Sequence, residues 1–195
     1  AKYAERAYEL KPFNYKHVKI YCLFLEQEGE YEKALSCLQK YLEVEKSNSE
    51  AWVFSSDLLT GQGKIDEAWK LIEQAKGILP QDSLIENQHK ILYDLKFVGP
   101  NKKYFDEAMS YVNQGEYTKA LSLIDKYIGA VPNDFTSHQQ RAIILYYLKE
   151  YQSCIKEIDL SLTLKNNVGF LINLRGVCYY ALNDLTSACK DFESA

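Results

Sequence analysis

The sequence predicts an all-α fold of stacked helix–turn–helix repeats, and three observations support this prediction. Similar phrases recur along the chain as EGEYEKALSCL, QGKIDEAWKLI, QGEYTKALSLI, LKEYQSCIKEI and LNDLTSACKDF. The small residues in these phrases are Ala34, Ala68, Ala120, Cys154 and Ala188, which lie 34, 52, 34 and 34 positions apart. Glycine stands near the start of three phrases, where a turn that follows a helix needs a positive φ. A fixed period of this length is typical of a helical repeat array.

Four full units and two partial ones follow from the period. The full units are 15–48, 49–82, 101–134 and 135–168, a partial unit fills 169–195, and a fragment covers 1–14. Positions eight and twenty of each unit hold small residues, so we expect the two helices to cross closely there. Position eight holds Cys22, Ser56, Ala108, Ala142 and Gly176. One such hairpin cannot bury its own apolar face, so the units must stack on one another.

This pattern resembles the tetratricopeptide repeat family, whose unit is a helix–turn–helix of 34 residues. The unit 49–82 matches the family pattern at Trp52, Gly63, Ala68, Ala75 and Pro80, and the last unit matches it at Leu174, Gly176, Tyr179, Ala188, Phe192 and Ala195. The resemblance covers about nine-tenths of the chain. It implies a right-handed α-α superhelix in which the first helices of successive units line a concave groove.

The segment 83–100 interrupts the period and makes the array irregular. Its apolar residues, Leu84, Ile85, Ile91, Leu92 and Leu95, fall on one helical stripe. Asp82 or Ser83 can cap the start of this helix, and Gly99-Pro100 is expected to end it. We therefore predict an unpaired helix between an N-terminal block 1–82 and a C-terminal block 101–195. It is either a repeat that has lost its second helix or a hinge between two short arrays.

Composition argues against several classes of partner. The net charge of −4 provides no broad positive field, so neither nucleic acid nor an anionic membrane is an expected partner. No apolar run approaches the roughly 18 residues of a spanning helix. The five cysteines form no CxxC pair, which favours free thiols in a reducing compartment and therefore the cytoplasm.

No catalytic, cofactor or metal site is predicted. His17, His89 and His138 are far apart and lack the spacing of a zinc motif. The stretch 61–64, GQGK, lacks the spacing and the preceding strand of a phosphate-binding loop. Without a nucleophile, a paired acid or a nucleotide loop in a supporting context, we expect no enzymatic activity and no cofactor.

The cysteines allow two interpretations. Cys22 and Cys154 stand at small core positions, where a buried thiol acts as a small apolar group. Cys22 with Cys37, and Cys178 with Cys189, are placed symmetrically about their turns, so each pair could face across one hairpin. A disulfide in such a pair would require specific geometry, and free thiols are the alternative.

The family resemblance also assigns the residues that face the concave groove. In the first block these positions are mixed and charged, and they include Lys19, Glu50, Val53 and Asp57. In the second block they are largely apolar and aromatic, and they also include Lys102 and Thr136. We predict a site for an extended peptide or an amphipathic helix that is lined by Phe105, Met109, Ile143, Tyr146, Asn173, Val177 and Tyr180. The alternative is that several of these side chains pack against neighbouring helices.

Members of this family that hold chaperone tails use a clamp of lysine, asparagine and arginine residues on successive groove helices. Lys19 matches its first position, but Leu23 and Phe54 replace the next two asparagines. The clamp is therefore absent, and we expect no chaperone-tail binding.

The function expected from this family is that of a protein-interaction scaffold with a protein or peptide partner. Both ends fall within a unit, so we expect the chain to be a piece of a larger protein whose uncapped ends allow self-association. Two alternatives are a non-catalytic helper domain of a larger enzyme, such as a glycosyl- or sulfotransferase, and a homo-oligomerisation module.

Overall fold

A computed structural model describes residues 2–195 as helices joined by short turns. None of these residues forms a β-strand, so the predicted all-α class is confirmed. The α-helices are α1 (Lys2–Leu10), α2 (Tyr15–Gln27), α3 (Tyr31–Val44), α4 (Ser49–Gly61), α5 (Ile65–Ile78), α6 (Ser83–Tyr93), α7 (Gly99–Asn113), α8 (Tyr117–Ala130), α9 (Phe135–Tyr147), α10 (Tyr151–Leu164), α11 (Gly169–Ala181) and α12 (Leu185–Ser194). A π-helical segment, Asp94–Val98, stands between α6 and α7.

The helices form two compact units, the first extending to Lys96 and the second comprising Phe97–Ala195. The first unit has one hydrophobic core, built around residues such as Val18, Leu38 and Ile72. The second unit has two clusters, one where α7 and α8 pack together and one where α9, α10 and α11 meet. The boundary between the units falls inside the irregular segment 83–100. The predicted limits of the two blocks, at residues 82 and 101, stay predictions. The same is true of the hinge between the blocks.

The small residues lie where the helices of each hairpin cross, as the period predicts. Ala34, Ala68, Ala120, Cys154 and Ala188 are all fully buried. The crossings are close enough for thiols to reach main-chain carbonyls, since Sγ of Cys22 donates to O of Ala34 (3.6 Å) and Sγ of Cys154 donates to O of Ala142 (3.1 Å). A larger side chain at either position would push the two helices apart.

Each turn within a hairpin contains one residue with positive φ. Gly29, Gly63 and Gly115 have φ of +75°, and Lys149 and Asn183 at the equivalent positions have φ of 63°. The next main-chain N–H then donates to the carbonyl five residues back, as from Glu150 to Leu145 over 2.9 Å. These are the bonds of a Schellman motif, which satisfies carbonyls at the end of the first helix. The predicted role of glycine in these turns is confirmed.

The prediction that Gly99-Pro100 ends a helix is wrong. Gly99 and Pro100 are the first residues of α7, and the five residues before them are π-helical. Proline lacks an N–H and clashes with the carbonyl four residues back in an α-helix. A π-helical turn changes the hydrogen-bond register at this point, which allows proline near the start of a helix.

The apolar residues of 83–100 do not form one stripe, because they divide between a buried and an exposed face of α6 and the π-helical segment that follows it. Ile85 and Leu92 are fully buried, and Gln88 lies between them on the same face. Leu84, Ile91 and Leu95 are instead exposed. The buried face packs on α4 and α5, where Nε2 of Gln88 donates to Oγ of Ser56 (3.1 Å) and Oδ1 of Asp57 (2.7 Å). Of the two predicted caps, Asp82 is the one used, since its carboxylate accepts from the N–H groups of Leu84 and Ile85.

Candidate peptide-binding surface

The seven residues of the predicted site lie on three helices of the second unit. Phe105 and Met109 belong to α7, Ile143 and Tyr146 to α9, and Asn173, Val177 and Tyr180 to α11. Asn173 and Tyr180 are exposed, and the other five are half-buried.

Phe105 faces a cavity at one end of the second unit. The cavity has a volume of about 260 Å³, and Lys102, Phe105, Thr136 and the ring of Tyr127 are among the residues that line it. The rings of Phe105 and Tyr127 lie 5.3 Å apart, which holds the phenyl group at the cavity wall. Lys102, Phe105 and Thr136 all hold positions that the family resemblance assigns to the concave groove.

Met109 and Phe105 also belong to the wall of a hydrophobic core. Both pack against the cluster of Ala108, Ala120 and Ile124. The half-burial of these two side chains therefore comes from packing within the unit. Packing against neighbouring helices, which is the alternative to a binding role, therefore applies to part of the surface of Phe105 and Met109.

Tyrosine rings gather at the C-terminal end of α9. The rings of Tyr117 and Tyr147 are stacked at 4.6 Å with an angle of 5° between their planes. Tyr146 lies 5.5 Å from Tyr147 and 6.1 Å from Tyr151. Tyr147 remains 53% exposed, so this cluster presents an aromatic face to solvent.

Two further aromatic residues project from α11. Phe170 is 55% exposed and Tyr180 is 65% exposed. Each aromatic side chain of this kind offers a large apolar contact area to a partner.

The sequence interpretation missed a network of ion pairs in the second unit. Nε of Arg141 in α9 donates to Oδ1 of Asp125 in α8 (2.6 Å), and its Nη1 donates to Oε2 of Glu157 in α10 (2.5 Å). Glu157 is nearly buried and also contacts Nδ1 of His138. Nε2 of His138 donates to the carbonyl of Pro132 (2.8 Å), so both ring nitrogens have oxygen partners.

The same arrangement recurs one repeat later. Arg175 in α11 binds Asp191 in α12 through two bonds of 2.7 and 2.8 Å, and Asp159 in α10 at 2.5 Å. These carboxylates, Asp191 above all, raise the pKa of the Arg175 guanidinium. The sequence does carry a signal for this network, because Arg141 and Arg175, Asp125 and Asp159, and Glu157 and Asp191 are each separated by one period of 34 residues.

The cysteines correct one expectation. Cys178 does not face Cys189, which is exposed; its Sγ instead lies 3.4 Å from Sγ of Cys154, and both thiols are buried. All five cysteines are free. Cys22 and Cys37 do interact across their hairpin. The Cys22 thiol stabilises the Cys37 thiolate and lowers the pKa of Cys37 to about 6, whereas the same contact raises the pKa of the fully buried Cys22.

In the first unit, the groove positions carry charge. Nζ of Lys19 lies 3.1 Å from Oε2 of Glu50, and both side chains are exposed. The single lysine that matches the chaperone-tail clamp is therefore already paired with a carboxylate of the next repeat.

Residues 2–195 contain neither a cluster suited to a metal ion nor a membrane-spanning helix. No group of three or more histidine, cysteine, aspartate or glutamate side chains is placed to hold a metal ion there. No helix in this part of the chain is long and apolar enough to cross a membrane.

Comparison with known proteins identifies the repeat. Residues 25–83 match the family model described as "Tetratricopeptide repeat". No curated protein sequence matches the chain.

Three solved structures illustrate the similarity of fold. The first repeat domain of Spaghetti (RPAP3), described as bound to an HSP90 peptide, is 24% identical over 48% of this chain and 75% of its own, with a TM-score of 0.46. The TPR2AB domain of yeast Sti1, in a complex with an HSP90 peptide, is 15% identical over 99% and 80%, with a TM-score of 0.46. The TPR domain of P58(IPK) is 20% identical over 96% and 52%, with a TM-score of 0.49.

The fold therefore defines a helical-hairpin repeat protein. The match over residues 25–83 is to the tetratricopeptide repeat, and helical hairpins with a period of 34 residues recur in the chain on both sides of the segment 83–100.

Proposed function

We propose that this chain is a protein-interaction scaffold whose second unit binds an extended peptide or an amphipathic helix along α7, α9 and α11. One observation carries the proposal. Lys102, Phe105 and Thr136, which the family resemblance assigns to the concave groove, line the same cavity of about 260 Å³. A cavity with an aromatic wall and with Lys102 and Asp134 in its lining can take one side chain of a bound segment and fix its position.

The exposed aromatic residues of the second unit support this proposal. Tyr147, Phe170 and Tyr180 are each more than half exposed, although burial of such rings in an interface is favourable. The exposed amide of Asn173 offers both a donor and an acceptor to the main chain of a peptide. In the proposed complex the rings anchor the segment, and polar groups such as Asn173 set its register.

The proposed role is non-catalytic, and the proposed compartment is the cytoplasm. Five free cysteines, two of them with buried sulfur atoms 3.4 Å apart, fit a reducing environment. The net charge of −4 makes a protein partner a better fit than nucleic acid or an anionic membrane.

The experiment is affinity capture with mass spectrometry, using the wild-type chain and the double variant Asn173→Lys/Tyr180→Glu. Both residues are exposed, so the variant should keep its circular dichroism spectrum. We expect a protein that the wild type captures and the variant loses, and a synthetic peptide from that protein should bind the purified wild type.

Tyr3→Glu, at a 91% exposed position of the first unit, is the matched control and should capture the same protein as the wild type. Equal capture by the wild type and the double variant would contradict the proposal.

A further inference from the structure

The first unit has an open groove on a face of α4 that does not carry the positions assigned to the concave groove. The groove lies between α3, α4 and α5 and has a volume of about 520 Å³. On α4 it is lined by Trp52, Ser55 and Leu59, whereas the assigned concave positions include Val53 and Asp57. We call this space the outer groove. Its volume is within the range of roughly 300–1,000 Å³ that is typical of binding sites.

The outer groove has an apolar floor and an acidic rim. The floor is formed by Leu35, Leu42, Trp52, Leu59 and Leu71. The rim carries Glu32, Glu43, Glu67 and one lysine, Lys46. Glu32 is paired with Lys64 at 2.6 Å, but Glu43 and Glu67 have no ion pair with any residue in the described part of the chain.

The second unit fills the equivalent space with its own side chains. Gln39, Ser55 and Leu71 correspond in the repeat alignment to Asp125, Arg141 and Glu157. In the second unit the guanidinium of Arg141 connects the other two across α9, at 2.6 and 2.5 Å. The first unit lacks this bridge, because Ser55 is short and Leu71 carries no charge. The two units therefore differ at this position, since Arg141 bridges the space in the second unit and no equivalent side chain does so in the first.

We propose that the outer groove binds a segment of a partner protein that presents one apolar side chain between lysine or arginine residues. An apolar side chain that covers the apolar floor of the outer groove is removed from water together with it, which favours binding. The flanking cations of the segment face Glu43 and Glu67, neither of which forms an ion pair within residues 2–195. An acidic segment would instead bring like charges together at the rim, which is unfavourable.

This site is separate from the peptide site proposed for the second unit, and either one can exist without the other. A labelled peptide with a central phenylalanine between two arginines, spaced by alanines, is the probe. Two control peptides replace the arginines by glutamates or the phenylalanine by alanine. We expect binding of the full chain to be at least about tenfold weaker for each control, with the affinity for the probe falling as salt is added.

The location of binding can be read from tryptophan, because the chain contains only Trp52 and Trp69. The indole N–H of Trp52 lies at the floor of the outer groove and donates to the carbonyl of Lys46. Trp69 does not line the groove and stacks on His89 instead. In a ¹H–¹⁵N spectrum we expect the probe to shift the Trp52 indole signal and to leave the Trp69 signal in place.

Two variants test the site itself. Gln39→Asp/Ser55→Arg/Leu71→Glu introduces the bridge of the second unit, so it should fold and lose probe binding by at least about tenfold. Glu43→Lys/Glu67→Lys reverses the rim charge at two exposed positions and should weaken probe binding similarly without change in the fold. Unchanged binding in the rim variant, or preference for the glutamate peptide, would overturn the proposal. So would a dimer of the wild-type chain that the bridge variant abolishes, since the occupant would then be a second copy.

Discussion

Trp52 and His138 make the same hydrogen bond in two different units. Nε1 of Trp52 donates to the carbonyl of Lys46 at 2.9 Å, and Nε2 of His138 donates to the carbonyl of Pro132 at 2.8 Å. Both residues hold the fourth position of their repeats, and both acceptors lie six residues earlier. The bond links the start of one hairpin to the end of the preceding one. The second ring nitrogen of His138 adds a contact with Glu157 that tryptophan cannot make.

Removal of the Glu157 carboxylate should strongly destabilise the protein. Glu157 is buried, accepts from Arg141 and contacts Nδ1 of His138, so Glu157→Ala leaves both of these groups without their partner. We expect the free energy of unfolding to fall by about 3–5 kcal/mol, as is typical when one partner of a buried ion pair is removed. Urea denaturation followed by circular dichroism measures the loss.

Asp159→Ala is the matched control for this change. Asp159 pairs with Arg175 in the same way, but its side chain is 52% exposed. Exposed pairs contribute about 1 kcal/mol or less, so the loss should be correspondingly small. If Glu157→Ala and Asp159→Ala lowered the free energy of unfolding equally, burial of Glu157 would not be the cause of the loss.

Replacement of the whole network should cost much less than removal of one member. The variant Asp125→Gln/His138→Trp/Arg141→Ser/Glu157→Leu installs the residues that the first unit has at these positions. Apolar replacement of a buried ionic cluster is often neutral or stabilising. We therefore expect unfolding free energies within about 1–2 kcal/mol of the wild type, measured as above. A loss as large as that of Glu157→Ala would show that the two units do not tolerate each other's side chains.

The turn residue Lys149 offers a stabilising substitution. It has a φ of 63°, where the first unit has glycine, and a side chain with a Cβ atom is disfavoured there. Lys149→Gly should raise the free energy of unfolding by about 0.5–1 kcal/mol, which would be seen as a higher melting temperature. Gly115→Ala is the reciprocal control at a φ of +75°, and it should lower the stability by about 1 kcal/mol. Destabilisation by Lys149→Gly would contradict this explanation.

The thiol of Cys37 should react at unusually low pH. The Cys22 thiol, and after it the Tyr8 hydroxyl, stabilise the Cys37 thiolate and lower its pKa to about 6. Because the thiolate is the nucleophile, alkylation of Cys37 by iodoacetamide should increase as the pH rises through about 6 and level off above about 7. The exposed Cys189 is labelled in the same samples and serves as the reference thiol. Mass spectrometry of the labelled peptides measures both rates.

Cys22→Ala provides the control for this behaviour. Alanine already occupies the same repeat position at Ala108 and Ala142, so the variant should fold. It removes the contact that stabilises the Cys37 thiolate, so the midpoint of Cys37 alkylation should move to higher pH. An unchanged midpoint would exclude Cys22 as the cause.

The regular part of the fold could be predicted from the sequence because it depends on side-chain size and backbone conformation. Ala34 and Ala120 mark close crossings, and Gly63 marks a turn, since few other residues meet those requirements. The segment 83–100 was harder to predict. Gly99 and Pro100 are strong helix breakers in an α-helical register, but the π-helical turn before them accommodates them within helical structure.

The ion-pair network and the outer groove could not be predicted in the same way. Charged residues on a helix are usually solvated, so the 34-residue spacing of Arg141 and Arg175 indicates that they repeat but does not indicate that their partner Glu157 is buried. The groove lacks the bridge of the second unit because Ser55 is short and Leu71 is uncharged. This difference becomes apparent only when the equivalent positions of the two units are compared in the structure. The seven-residue surface of the second unit rests on the family resemblance and stays a prediction.

The ion pairs of Arg141 and Arg175 have a consequence for how the second unit unfolds. Arg141 joins α8 to α10, and Arg175 joins α10 to α12, so no hairpin can detach without breaking charged bonds to its neighbour. Repeat arrays unfold according to the balance between the stability of each unit and its coupling to the next. We therefore expect amide hydrogens of α8, α10 and α12 to exchange with solvent in a single cooperative event. In the first unit, where no such bridge crosses α4, successive hairpins should exchange in separate steps.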